Sequence, residues 1–349
     1  MNTVSTVQAA AGSITNNANK TTRASVRKGR YLFVAMAILF FIISAVGFGS
    51  DYIRISASHI NVHWFALTHG AIMTGWLLVF FLQSMLAAKG KLKFHRQLGL
   101  FSVALGVLVW LSMVIATVRA LLAFPPPSED GAWDVLLIQL YGMNLFGLFF
   151  TWGILVRKKA AAHKRLLFLA TMVLMQAGID RIPGLPGLNA AIFVRFIYLD
   201  ALIIPLLIYD LVTVRRIHKI TIIGSMIIII VQVIVTNTVG SPAWHRFWFN
   251  RFAPFVEKVT EVKLSDAHIE PLLGDYGDKN WHMTVRRDSG KIYLQLPDVP
   301  KFEMAPTSEN EWFLRTMTWK VSFIRGVDGS VIKIINKQPN ITWEVQRMK

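Results

Sequence analysis

The fold is decided by the stretch from His69 to Gly99, which reads HGAIMTGWLLVFFLQSMLAAKGKLKFHRQLG. It contains an apolar run, a short connection rich in lysine, and the start of a second apolar run. A run of about 20 apolar residues matches the length of a helix that crosses the hydrocarbon core of a bilayer. Lysine and arginine between two such runs are typical of a loop that stays in the cytoplasm. The stretch therefore predicts two transmembrane helices joined by a cytoplasmic loop.

The same alternation continues over most of the chain. Of its 349 residues, 54% are hydrophobic and only 16% are charged, which is too apolar for an ordinary soluble enzyme. We expect a membrane domain over residues 27–239, preceded by a polar, disordered tail over residues 1–26. The predicted transmembrane helices are the seven apolar runs Tyr31–Phe48, Phe65–Ala88, Leu98–Phe124, Val135–Val156, Leu166–Ile182, Ala190–Val212 and Ile220–Val239.

The basic residues predict the sidedness of the chain. Lysine and arginine gather before the first run and in the second, fourth and sixth connections, whereas the third connection, FPPPSEDGAWD, is acidic. This pattern predicts a bacterial inner-membrane protein with its N-terminus in the cytoplasm and its C-terminal part outside. The predicted side of the C-terminal part depends on whether the fifth run crosses the membrane. Without that crossing the C-terminal part would be cytoplasmic. The same distribution accounts for the net charge of +17, which therefore does not indicate nucleic-acid binding.

The C-terminal part changes from long apolar runs to a period of two. The segments WHMTVRR and KIYLQLP flank the turn DSG, whose glycine can take a positive φ, so they predict a hairpin. We expect residues 264–349 to form a small antiparallel β-domain that curls toward a barrel. Its further predicted strands are Glu311–Thr316, Trp319–Arg325, Val331–Asn336 and Ile341–Gln346. The fold class is therefore an all-α membrane bundle of about seven transmembrane helices with a C-terminal β-barrel-like domain.

A juxtamembrane segment over residues 240–263 joins the two parts. It contains SPAWHRFWFNRFAPF, in which aromatic rings alternate with arginine. Amphipathic rings and cations suit the lipid headgroup region, but the same pattern is typical of a helix that packs on the tail domain. The residues assigned to this membrane interface are Trp244, Trp248, Arg246 and Arg251.

The tail resembles the small β-domain at the C-terminus of many bacterial penicillin-binding-protein-like serine hydrolases. The segments that carry the resemblance are LSDAHIEPLLGDYG, KIYLQLPDVPKFEMAPTSENEWF and VSFIRGVDGSVIKIIN. In those enzymes the module accompanies a catalytic domain, which this chain lacks. A Ser-x-x-Lys match at Ser25 lies in the predicted disordered tail, so we interpret it as chance. The resemblance implies a protein partner, such as a hydrolase that this chain regulates.

The membrane part resembles an uncharacterised family of bacterial multi-helix membrane proteins. In that family a histidine-glycine pair opens one helix and His-Arg-x-x-Gly opens the next, as in the stretch from His69 to Gly99. The similarity continues through HKRLLFLATMVLM and YDLVTVRRIH. More distantly, histidines at helix ends look like the transmembrane cytochromes b and their ferric-reductase relatives. This distant resemblance implies a haem b cofactor held by histidine.

Three histidines at the inner helix ends are therefore open to several interpretations. His95 and His163 begin the third and fifth runs on the same side, where two imidazoles could hold one haem. Together with His218 they could instead form a tris-histidine metal site. Each is next to lysine or arginine, which disfavours a bound cation. We favour a third interpretation, in which they are boundary groups that bind lipid phosphates and fix topology.

Charged residues inside the predicted spans indicate a second site. Burying each of them unpaired costs about 2.5 kcal/mol or more, so we expect them to face the bundle and pair. They form either a ligand-binding cluster near the outer face or salt bridges that only hold helices together. The members of this predicted cluster are His69, Arg119, Asp180, Arg181, Arg195 and Asp200. Asp210, near the inner end, is expected to pair with Arg165 or Arg215.

These patterns predict a membrane protein without catalytic activity of its own. The chain has no cysteine, so it has no disulfide, thiolate metal site or cysteine nucleophile. It also lacks a nucleophile elbow and a phosphate-binding loop. We expect it to bind a ligand or a partner through the outer polar cluster and the β-domain. The alternative is a b-type haem protein that transfers electrons.

Overall fold

The structure is a computed structural model, and it describes residues 29–57, 61–123, 132–186, 192–252, 260–278, 282–296, 301–315, 319–338 and 341–348. The tail predicted over residues 1–26 lies outside these described residues. The chain divides into two compact units. The first, here the helical unit, comprises the described parts of Met1–Gly47, Thr74–Val107 and Leu145–Val231. The second, the barrel unit, comprises those of Phe48–Met73, Leu108–Asn144 and Gln232–Lys349.

Ten helices precede the β-domain in the described part of the chain. Among the residues that the structure describes, six apolar helical segments are long enough to span a membrane, and one of them, Ile192–Val214, combines two helices. Exposed isoleucine and valine cover much of the last of the six, as expected of a surface that faces lipid. The helices are α1 (Leu32–Ala57), α2 (Trp64–Ala88), α3 (Leu92–Ala123), α4 (Ala132–Leu155), α5 (Ala160–Val173), α6 (Gln176–Ile179), α7 (Ile192–Ala201), α8 (Ile204–Val214), α9 (Lys219–Thr238) and α10 (Pro242–Phe252).

The count of about seven helices predicted from the sequence is therefore wrong, and the difference has local causes. The fifth predicted span is split into α5 and α6 by a tight turn at Leu174 and Met175. The sixth is split into α7 and α8 just ahead of Pro205, which cannot donate a backbone hydrogen bond. The juxtamembrane segment adds α10. All seven predicted apolar runs nevertheless lie largely in helices.

The helical unit is packed around α5. This helix is buried along most of its length, including its aromatic residue Phe168. The ring of Phe168 lies 5.7 Å from that of Phe40 on α1. Trp76 on α2 donates its indole hydrogen to Thr171 Oγ1 over 3.2 Å and meets Phe146 on α4 edge to face. Aromatic contacts and close packing, rather than hydrophobic exclusion from water, hold helices together in lipid.

The described residues of the barrel unit form a sheet of nine antiparallel strands, in the order β1-β9-β8-β7-β6-β5-β4-β3-β2. Strands β2 to β9 follow one another up and down, and a bridge between Tyr276 and Arg347 brings the two ends together. The sheet is therefore nearly a closed barrel. The strands are β1 (Asn61–Val62), β2 (Gly274–Gly277), β3 (His282–Asp288), β4 (Lys291–Gln295), β5 (Phe302–Pro306), β6 (Glu311–Leu314), β7 (Lys320–Arg325), β8 (Val331–Lys337) and β9 (Ile341–Gln346).

The interior of the barrel is filled by the alternating apolar residues. Met283, Val285, Leu294, Val321 and Phe323 belong to its buried core, which confirms most of the apolar face predicted from the period of two. The DSG turn joins β3 to β4 with positive φ at its last two residues, so the predicted hairpin is also confirmed.

Tyr276 on β2 is buried inside the barrel at the point where its two ends meet. Burial raises the pKa of Tyr276 to about 12, so its hydroxyl stays protonated and donates to the carbonyl of Leu272 over 2.8 Å. Arg347 lies over the ring of Tyr276 and donates to the carbonyls of Pro271 and Leu273. These contacts hold Arg347, which follows β9, against β2 and the residues just before it.

Strand β1 is the unexpected element of the fold. It lies between α1 and α2, far from the C-terminal domain in sequence, yet Asn61 pairs with Thr342 and Val62 pairs with Ile341 of β9. The pairing covers part of the edge that β9 would otherwise expose. It also places the two residues of β1, just ahead of α2, at the edge of the barrel.

Candidate functional site

The candidate site lies in the barrel unit, at the point where β1 leads into α2. His63 follows β1 directly, and its backbone carbonyl accepts a hydrogen bond from Ala66 in the first turn of α2. Its ring Nδ1 accepts another from the backbone of Phe65 over 3.2 Å. Free N–H groups in the first turn of a helix are ordinarily satisfied by such a side chain. The strand pairing and this cap together fix the position of the imidazole.

Arg119, near the end of α3, is the second member of the site. Its Nη2 lies 3.1 Å from Nε2 of His63, and its guanidinium carbon lies 5.4 Å from the centre of the Phe65 ring. Its Nε is buried and has no hydrogen-bond partner within the described residues. Within the same residues no carboxylate pairs with Arg119. An arginine in an apolar helix usually pairs with an acidic group, so this guanidinium is exceptional.

The contacts between His63 and Arg119 leave one donor of the guanidinium unused. Nη2 of Arg119 lies 3.3 Å from Nδ1 and 3.1 Å from Nε2 of His63, so the ring nitrogen that carries the lone pair can accept from it. Nε of Arg119 has no such acceptor within the described residues. An anionic oxygen that accepts from the guanidinium would satisfy this donor and balance its charge.

His69 extends the site along α2. Its ring stacks on that of Phe65 at 6.3 Å, and its Nδ1 lies 3.0 Å from the hydroxyl of Ser112 on α3. That hydroxyl donates to the carbonyl of Val109 and therefore accepts from His69. The two predicted residues His69 and Arg119 thus meet through Phe65, which contacts both.

The other four predicted cluster residues lie in the helical unit. Asp180 follows α6 and lies 4.0 Å from Arg195 of α7, while it accepts a 2.7 Å hydrogen bond from Gln176. Arg181 donates to the carbonyl of Ala177 within its own segment. Asp200 lies near the end of α7 and also has an interaction partner. The ion pair of Asp180 and Arg195 agrees with the structural interpretation, in which charges hold helices together.

The three inner histidines are not one group. His95 and His163 have ring centres 6.4 Å apart, whereas His218 caps α9, where its Nδ1 accepts from Ile220. In the described residues no three side chains of histidine, cysteine, aspartate or glutamate are placed to hold a metal ion together. The tris-histidine interpretation therefore finds no support in the geometry, and a two-histidine arrangement is what the fold brings together.

Asp210 pairs with Arg165, the first of its two expected partners. Both side chains are fully buried, and Arg165 donates through Nε over 2.9 Å and through Nη2. Thr221 and the backbone of His218 donate to the other carboxylate oxygen of Asp210. Every polar contact of this carboxylate comes from within the helical unit, so the pair is a structural element.

The tryptophans of helix α10 contact another helix of the barrel unit. Trp244 donates to the carbonyl of Trp133 over 2.8 Å, and Trp248 packs on the cluster that Trp133 and Leu136 form at the start of α4. The assignment of this segment to the membrane interface stays a prediction. Arg246 and Arg251, the other two assigned residues, are exposed.

One member of the site, His63, was not among the predicted residues. It stands two residues before the predicted span that begins at Phe65, and a lone arginine in an apolar run requires a partner at its own depth, so the pair could have been sought.

In the helical unit, sequence reasoning also passed over Gln83. It is a polar residue within the apolar run of α2, and its side-chain oxygen is buried without a hydrogen-bond partner among the described residues.

Comparison with known proteins adds no relative. No family model matches the chain, and neither a curated protein nor a solved structure matches it significantly. The resemblances to a bacterial membrane family, to cytochromes b and to a serine-hydrolase module therefore stay predictions. The function has to be argued from the geometry alone.

Proposed function

We propose that this chain is a multi-pass membrane protein that binds an anionic ligand beside an extracytoplasmic β-barrel. The observation that carries the proposal is the guanidinium of Arg119, whose buried Nε has no hydrogen-bond partner and which pairs with no carboxylate within the described residues. The ligand is a carboxylate or phosphate, either free or on a larger molecule. The protein acts by binding and has no catalytic step of its own.

The topology that supports this proposal follows from strand β1. Because β1 pairs with β9, the connection between α1 and α2 lies on the same side of the membrane as the barrel. The other five long apolar segments follow β1, and five crossings alone would leave the barrel on the opposite side. A sixth crossing is therefore needed after β1. The α5–α6 segment supplies it, since the chain from Ala160 to Ile179 rises about 30 Å at 1.5 Å per residue.

Charge then gives the absolute orientation. With seven crossings, the basic connections α2–α3, α4–α5 and α8–α9 all lie on the side opposite the barrel. Basic loops stay in the cytoplasm, so the barrel is extracytoplasmic in a bacterial inner membrane. Arg119 and His63 lie at the barrel side of α3 and α2, where a ligand from outside has access.

The energetics favour an anion at this site. Moving a guanidinium into an apolar helix without a counter-charge is costly, and an anion recovers part of that cost. A charge-assisted hydrogen bond is about twice as strong as a neutral one and contributes about 1.5–3 kcal/mol. The stacked rings of Phe65 and His69 restrict the side of the guanidinium from which a ligand approaches.

Inorganic phosphate is the probe for the first test. We expect phosphate to raise the melting temperature of the purified full chain in detergent more than chloride does at equal ionic strength. In Arg119→Gln we expect the phosphate affinity to fall at least about tenfold, as loss of a charge-assisted contact requires. Isothermal titration of wild type and variant measures this difference.

The matched control is Arg246→Gln, which removes an exposed arginine of the barrel unit instead. It should bind phosphate like the wild type. Acetate in place of phosphate distinguishes a general carboxylate site from a phosphate site. Equal phosphate affinity of the wild type and Arg119→Gln would contradict the proposed function.

A further inference from the structure

We infer that His95 and His163 bind one transition-metal centre through their Nε2 atoms, in the helical unit. This site is separate in residues and chemistry from the anion site of Arg119 and His63. The juxtaposition of the two imidazoles and the hydrogen bonds that orient them carry the inference.

Both imidazoles are held in the tautomer that a metal ligand needs. Nδ1 of His163 lies 2.8 Å from the carbonyl of Gly153, and Nδ1 of His95 lies 3.3 Å from the carbonyl of Gln83. A carbonyl only accepts, so both Nδ1 atoms carry hydrogen and both Nε2 atoms carry a lone pair. Metal-binding histidines are almost always oriented by this kind of contact at the other ring nitrogen. In the part of the chain that the structure describes, neither Nε2 has a hydrogen-bond partner.

The spacing fits one metal between the rings. The ring centres lie 6.4 Å apart, and the ring planes are nearly perpendicular at 85°. Nitrogen ligands lie about 2.0–2.1 Å from such a metal, so two imidazoles on opposite sides of it have ring centres about 6.4 Å apart. The separation observed therefore leaves room for one metal between the two rings.

Gln83 on α2 holds the ring of His95 in place. Its backbone carbonyl accepts from Nδ1 of His95, and its side-chain nitrogen donates to Ser102 on α3 over 2.8 Å. The second contact joins the two helices beside the carbonyl that orients His95.

Two basic neighbours of His163 are directed to other partners. Lys164 donates to the hydroxyl of Tyr209 over 2.6 Å, and Arg165 forms the buried pair with Asp210. Arg157 does act electrostatically on the ring of His163 and therefore weakens a bound cation there. The two ligands themselves are neutral imidazoles, and imidazole prefers zinc, copper, iron and nickel, whether the iron is a free ion or the iron of a haem.

The experiment uses the full chain, purified in detergent and freed of metal with a chelator. We titrate it with Cu²⁺ and follow the electron paramagnetic resonance spectrum, which counts coordinating nitrogens without any mutation. One centre per chain with two imidazole nitrogens is expected. In parallel, binding of Zn²⁺ is measured by calorimetry, and binding of ferric haem is measured by the shift of its Soret band. These two experiments distinguish whether the protein binds a free metal ion or a haem.

Variants then assign the ligands. His163→Gln and His95→Gln should each weaken binding of the metal at least about tenfold, the lower end of what loss of a supporting group costs. His282→Gln removes an exposed histidine of β3 and should bind like the wild type. Metal bound without imidazole nitrogens, no binding in any of the three arms, or equal binding by His163→Gln would overturn the inference.

Discussion

Replacement of Asp210 by alanine is expected to destabilise the protein by about 3–5 kcal/mol, because it leaves the guanidinium of Arg165 buried without a counter-charge. The pair is fully enclosed, and three groups donate to the carboxylate. Water cannot replace the lost acceptor in so apolar an environment. The change is measured as a loss of unfolding free energy in a denaturing-detergent titration of the purified chain.

Two further variants separate burial from charge. Glu344→Ala breaks the more exposed pair with Lys333 on the barrel and is expected to cost under about 1 kcal/mol. The double variant Arg165→Met with Asp210→Leu removes both charges and should recover most of the stability that Asp210→Ala loses. If Asp210→Ala unfolds at the same denaturant concentration as Glu344→Ala, the pair is not the buried element described here.

A larger residue at Gly47 is the second change with a large expected effect. The first side-chain carbon of any other residue there would overlap the carbonyl oxygen of Gly178 and lie 2.8 Å from its carbonyl carbon. Small residues allow such close approach of helix backbones in membranes. Gly47→Ala is expected to cost about 1–3 kcal/mol, and Gly47→Leu to cost more, because α1 must move away from Gly178.

Gly49 offers a matched control in the same helix. No atom lies within 4 Å of the carbon that alanine would add there, so Gly49→Ala should leave stability unchanged or raise it slightly. Thermal melting of both variants in the same detergent compares them directly. Equal melting temperatures of Gly47→Ala and Gly49→Ala would show that this contact does not hold the two segments together.

Much of the architecture could be predicted from the sequence, because composition and period are local properties. Apolar runs give the long helices whatever they contact, and alternating residues such as Met283, Val285 and Leu294 give the barrel strands. The breaks within the fifth and sixth predicted spans were harder to predict from the sequence. Pro205 indicates one break, but the turn at Leu174 contains no proline or glycine that would predict it.

The strands that were missed show where local patterns fail. Strand β2 reads GDYG and β5 reads FEMAP, and both contain residues that are depleted in strands. Strand β1 has only two residues, and its partner lies at the far end of the chain. No window of sequence can reveal such a pairing, since it is decided by tertiary contact.

The candidate site was predicted in part for the same reason. The cost of an arginine in an apolar span predicted that Arg119 pairs with another charged group, but within the described residues it contacts the imidazole of His63 instead. That the partner is His63, and not the aspartates of the helical unit, depends on how β1 and α2 are placed. Likewise, the sequence predicts that His95 and His163 lie on the same side of the membrane, and the two rings are indeed close together. That His218 does not join them depends on its position as a cap of α9, which the sequence does not reveal.

The pairing of β1 with β9 makes sidedness the most direct test of the whole account. Because the chain has no cysteine, a single introduced cysteine is the only site for a membrane-impermeant maleimide. Exposed positions suited to it are Val327 on the barrel, Pro183 after α6 and Lys158 between α4 and α5. In intact spheroplasts we expect Val327→Cys and Pro183→Cys to be labelled at once, and Lys158→Cys only after the membrane is permeabilised. If Pro183→Cys were instead labelled only after permeabilisation, like Lys158→Cys and unlike Val327→Cys, the α5–α6 segment would not cross the membrane. That result would contradict the seventh crossing, on which the proposed side of the barrel depends.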